Sequence, residues 1–74
     1  MQDKNTTPPP ENRMLKWFEY SHLPAHLQLT SKPFYDLARH IIANTEPGPE
    51  QTVALRKLLE AKDAAVRAAV HPGG

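Results

Sequence analysis

Residues 31–42 read SKPFYDLARHII. Phe34, Leu37, Ala38, Ile41 and Ile42 recur at the 3, 4, 7, 8 spacing that lines one face of an α-helix. Ser31 is a residue type that caps helix N-termini, Pro33 suits a first turn, and Asp36 lies early enough to favour the positive end of the dipole. The preceding PAHLQL at 24–29 is compatible with a helix too, with Pro24 at its start and Leu23 and Leu27 beside it. Two readings stand here. One is a helix that begins at Ser31; the other is a longer helix kinked at Pro33, which has no N–H and crowds the preceding turn.

Downstream, NTEPGPE at 44–50 is a turn, with Pro47 and Pro49 bracketing Gly48. A second helix is expected from about Pro49 to Val70, rich in strong helix formers. Val53, Leu55, Leu58, Leu59, Ala65, Val66 and Ala69 form its apolar side. Arg56 with Glu60, and Asp63 with Arg67, are spaced as i,i+4 ion pairs. Alanines at 61, 64, 65, 68 and 69 make its second half slim, which lets another backbone approach closely. The expected fold is therefore all-α, an antiparallel two-helix hairpin. One hairpin has a single buried seam and apolar surface left over, so a homo-oligomer is expected.

The ends differ in character. MQDKNTTPPPENR is polar and holds Pro8, Pro9 and Pro10 in a row, and HPGG at 71–74 is a helix stop. The expected organisation is a disordered arm over 1–15, a hairpin domain over 16–70 and a disordered tail over 71–74. A chain of 74 residues is marginal on core burial alone, and the absence of cysteine removes disulfides and thiolate metal sites. Self-association remains as the source of extra buried area. A formal net charge of +1 lacks the basic field of a duplex-DNA binder. No apolar run approaches the ~20 residues of a membrane span.

No glycine-rich phosphate loop, nucleophile elbow or carboxylate pair in a plausible cleft is present, which argues against an enzyme and against a resident cofactor. His22 and His26 sit at a chelating spacing without an evident third ligand, so they read as surface histidines rather than a metal site. KWFEYSHLP at 16–24 concentrates Trp17, Phe18, Tyr20 and His22 in a chain otherwise poor in rings. Trp17 and Phe18 have the ordinary reading of a lid over the open end of the hairpin. Tyr20 is the ring best suited to stack on a nucleobase and to donate a hydrogen bond. Lys32 and Arg67 are the candidate phosphate cations, Arg67 having an equally good role as the partner of Asp63. Lys16, Arg39, Lys57 and Lys62 read as solvated charges on the helix flanks.

FEYSH at 18–22, SKPFYDLARHII at 31–42 and LRKLLEAKDAAVRAAV at 55–70 together resemble the helical-hairpin phage proteins that sponge immune signals, the anti-CBASS and anti-Thoeris sponges. The pattern is carried by Phe18 and Tyr20, then Phe34, Leu37, Ala38, Ile41 and Ile42, then Lys57, Leu58, Glu60, Ala61, Ala65 and Ala68. The resemblance spans residues 17–70 and favours the longer, kinked first helix, because the family's phenylalanine lies inside a continuous helix. It implies a non-enzymatic role in the cytoplasm of an infected bacterial host. Such proteins form hexamer-like assemblies that hold cyclic di- or trinucleotides, or a cyclic ADP-ribose-type messenger, in pockets between protomers. Carried over, the ligand-binding roles point to Tyr20, Lys32 and Arg67, with Phe18 and His22 beside them. Two departures bear on ligand identity. Ala64, Ala65 and Val66 stand where many members have tryptophan–alanine–asparagine, and Ser21 displaces the histidine to His22. The alternative is a small oligomeric interaction or structural protein whose aromatics are core. A nucleic-acid-binding accessory factor ranks third because of the near-neutral charge.

Overall fold

The computed structural model describes residues 13–71 and 73, and their regular structure is helical throughout. A five-residue 3-10 helix, Met14–Phe18, precedes two long helices. Helix α1 runs Ala25–Asn44 and helix α2 runs Pro49–Val70, and the two pack against each other. The longer reading of α1 is the one observed. Pro24, at φ −55° and ψ 152°, sets the chain to enter the helix, and its carbonyl accepts from the Leu27 and Gln28 N–H groups at 2.9 and 3.1 Å. Gln28 Nε2 then reaches back to donate to the Leu23 carbonyl at 2.8 Å, fixing the entering loop.

Ser31 is consequently not a helix cap. It lies in the interior of α1, fully buried, and its Oγ has no hydrogen-bond partner. Pro33 is inside the same helix. At the far end, Asn44 Nδ2 donates to the His40 carbonyl at 2.8 Å and Thr45 Oγ1 to the Ile41 carbonyl at 2.7 Å. The Thr45 hydroxyl thereby serves one of the four carbonyls at the helix end, and Asn44 adds a second donor to the turn before it.

Gly48 turns the chain with φ +157°, a backbone region that L side chains rarely adopt. Pro49 opens α2 at a position where a missing N–H costs nothing, and Thr52 N–H donates to the Gly48 carbonyl at 3.0 Å. Arg67 lies in the last turn of α2, at the negative end of its dipole. The bounds of α2 match those expected from the turn and the HPGG stop. The intrahelical pairs do not: Asp63 meets Lys62 at 2.9 Å rather than Arg67, and Arg56 and Glu60 form no ion pair.

The core is small. Phe18, Ala38 and Leu55 are completely buried, with Phe34, Tyr35, Ile41 and Ile42 of α1 and Leu58 and Leu59 of α2 packed around them. Ala38 and Leu55 are each six residues from the turn end of their helix, so the core sits nearer the turn than the open end. Met14 and Leu15 close the core from the 3-10 helix. Met14 and Leu15, expected in a disordered arm over 1–15, are instead part of the fold, because they pack against the core between the two helices. Residues 1–12 of that arm, and Pro72 and Gly74 of the tail, lie outside the described residues. Leu37, expected on the apolar face, is 46% exposed. Ala69 of α2 is exposed as well. Among the described residues no helix is long and apolar enough to cross a membrane.

Candidate functional site

The segment between the 3-10 helix and α1 lies against both helices, and two hollows adjoin it. In a 3-10 helix successive side chains point about 120° apart. Phe18 turns inward to full burial, and its neighbour Trp17 is thrown outward, where it is 58% exposed. Neither ring is a lid over the open end: Phe18 is part of the core beside Ala38 and Leu55, nearer the turn, and Trp17 is on the surface. Phe18, expected beside the ligand, offers no ring face to one.

The first hollow is a cleft of about 500 Å³ between this segment and the last turns of α2. One wall is Lys16, Trp17, Glu19 and His22; the other is Lys62, Asp63, Val66 and Arg67. Lys16 Nζ lies 5.2 Å from the centroid of the Trp17 ring, a cation–π distance. Residues 62, 63, 66 and 67 form one broad stripe by their spacing, with Asp63 and Val66 within it and Lys62 and Arg67 at its two edges. Lys62 lays its stem along the surface, leaving its side chain only 15% exposed, and ends on Asp63. The cleft thus joins an open aromatic ring to Lys16, Lys62 and Arg67, against the carboxylates of Glu19 and Asp63.

The second hollow is shallower, about 270 Å³, and is lined by Glu19, Tyr20, Ser21 and Tyr35. Tyr20 is half-buried and meets the Tyr35 ring edge-on, with centroids 5.5 Å apart and planes at 70°. Arg39 lies 6.0 Å from the Tyr35 centroid. Lys32 donates to Asp36 Oδ2 at 2.7 Å, one helical turn on. That hydrogen bond, and with it the Asp36 charge, holds the Lys32 amine above its ordinary pKa of 10.5; Tyr20 acts in the same direction more weakly.

Tyr20 lines the second hollow, His22 and Arg67 line the first, and Lys32 lines neither. Within one protomer the five candidate residues do not converge on a single pocket. Glu19 lines both hollows, so they adjoin across the loop that carries Tyr20 and Ser21. Sequence reading missed Lys16, Lys62 and Tyr35 as members of these surfaces, and left Trp17 open between core and pocket. The shared face of 62, 63, 66 and 67 is legible in the sequence; which face meets the segment before α1 is not. His22 and His26 gather no further ligands, and no cluster of three or more His, Asp or Glu side chains able to hold a metal occurs among the described residues. No protein-family model, characterised protein or solved structure matches the chain.

Proposed function

We propose that this protein is a non-enzymatic sponge that binds a cyclic oligonucleotide, or a cyclic ADP-ribose-type messenger, and so blunts a bacterial anti-phage defence from within the infected cell's cytoplasm. The observation that carries the reading is the exposed Trp17 ring beside Lys16, Lys62 and Arg67 in one cleft, with the Tyr20–Tyr35 pair next to it. A tryptophan left open to water forfeits the apolar burial that is its usual use. Set among cations, it suits a ligand that is both flat and anionic. A cyclic oligonucleotide is such a ligand: its bases stack and its phosphodiesters pair with lysine and arginine.

One protomer is too thin to enclose it. The smallest extent is 16 Å, little more than the ~10–12 Å diameter of a helix with its side chains. Leu29 is 80% exposed, and Leu37 and Val70 46% each, which leaves apolar area for further copies to cover. In the proposed assembly, a hexamer by resemblance, a neighbour closes the hollows, and Tyr20, Lys32 and Arg67 meet across a subunit boundary around a first helix kinked at Pro33. A thermal-shift screen against cyclic di- and trinucleotides tests this, because a ligand that binds only the native state raises the melting temperature by mass action.

A second reading has its own support. The edge-on Tyr20–Tyr35 contact and the full burial of Phe18 are ordinary packing, as expected of an oligomeric hairpin with no nucleotide ligand. The same screen separates the two readings, because that hairpin responds to no member of the panel.

A further inference from the structure

We infer that Phe18 is the positioning residue of the Trp17 cleft: its seating between the helices latches the segment before α1 against α2, and the cleft exists only while that latch is closed. The ligand named in the test rests on the proposed function, but the latch itself does not.

The two walls of the cleft are held in different ways. Lys62 and Arg67 belong to α2, whose backbone hydrogen bonds are local to the helix and whose packing partner is chiefly α1. Trp17 and His22 belong to that segment, whose hold on the hairpin runs through Met14, Leu15 and Phe18, the one of these fully buried, and through the Tyr20–Tyr35 contact beyond Trp17. A five-residue 3-10 helix has little stability of its own, so it stays in register only by what it buries. The loop that follows is tied by Gln28, which belongs to α1 and reaches no further up the chain than the Ser21 carbonyl, at 3.4 Å.

Phe18 also sets the direction of Trp17. With neighbouring side chains about 120° apart, the full burial of Phe18 is what turns the indole outward and towards Lys62 and Arg67. Withdraw Phe18, and the hairpin keeps its helices while the cleft loses one wall. A ligand that touches both walls binds only the latched state and must, by linkage, favour the seating of Phe18.

The full chain carries its own reporter, because Trp17 is its single tryptophan. In a urea titration, Trp17 fluorescence anisotropy reads the latch and far-ultraviolet circular dichroism reads the helices. The anisotropy is expected to fall at a lower urea concentration than the ellipticity, and Phe18→Leu is expected to widen the gap. Coincident transitions in the unmodified chain overturn the latch. Cyclic di-AMP, cyclic di-GMP and cyclic triadenylate serve as probes in the second arm. A probe that binds is expected to move the anisotropy transition towards that of the helices, and Phe18→Leu to weaken its binding at least tenfold at unchanged helicity. Equal affinity in Phe18→Leu overturns the positioning role, since a residue that only stabilises the fold leaves the affinity of the folded form alone. If no probe binds the unmodified chain, the nucleotide reading fails, while the comparison of the two urea transitions still decides the latch.

Discussion

Gln51 Nε2 donates to Thr45 Oγ1 at 2.8 Å and to the Thr45 carbonyl at 3.1 Å, joining the first turn of α2 to the end of α1. Thr45 Oγ1 passes the connection on to the Ile41 carbonyl. Gln51 is 4% exposed, so this polar side chain is buried at the turn and fixes how the second helix leaves the first. A single hydrogen bond contributes about 0.5–1.5 kcal/mol net. Gln51→Ala is accordingly expected to cost about 1–2 kcal/mol and to lower the melting temperature, measured by circular dichroism, without altering ligand affinity.

Gly48 sets the same turn from the backbone side. A Cβ there meets no atom within 4 Å, so the cost of Gly48→Ala is conformational rather than steric crowding by a neighbour. At φ +157° that cost is of order 1–3 kcal/mol. Denaturant unfolding of the alanine variant is expected to show a lower midpoint at an unchanged slope.

Pro33 works in the other direction. A proline inside a helix costs ~3 kcal/mol relative to alanine, and Pro33 lies at the ninth position of α1. Pro33→Ala is expected to raise the melting temperature of the protomer. If a kink there shapes the proposed assembly, light scattering will report a weaker oligomer from the same variant.

Much of this fold is legible in the residues. The limits of α2 follow from Pro49 and the HPGG stop, and the seam follows from Phe34, Ala38, Ile41 and Leu55. The start of α1 is harder, because Ser-Lys-Pro has the chemistry of a beginning; only the Pro24 carbonyl and the reach of Gln28 decide otherwise. The 3-10 helix is too short for any periodicity to show. Trp17 and Phe18 are adjacent and alike in hydrophobicity, so which one turns inward depends on the shape of the hairpin beneath them. For the same reason the candidate cations are legible as residue types, while which of them lines a hollow is not.

The Lys32–Asp36 pair makes a pH prediction. Lys32 is raised above its unfolded value of 10.5, so the stabilisation from its pairing is fully present below pH 10.5 and is lost as pH rises through the folded value above that. Melting temperatures between pH 6 and 9 are therefore expected to be independent of this pair. Asp36→Asn frees the Lys32 amine, and calorimetric titration is expected to show tighter binding of a cyclic dinucleotide with little change in melting temperature.

The most direct measurement is calorimetric titration of a cyclic nucleotide into the unmodified chain, Tyr20→Ala and Arg67→Ala, with melting temperatures and light scattering on the same samples. A sponge requires that the unmodified oligomer bind. Tyr20→Ala should then weaken binding by ~1–3 kcal/mol, the loss of one stacking contact. Arg67→Ala should weaken it with a shallower salt dependence, the oligomer persisting in both variants. The contradicting result is a chain that binds no member of the panel, whose Tyr20→Ala variant only melts earlier and whose Arg67→Ala variant behaves like the original.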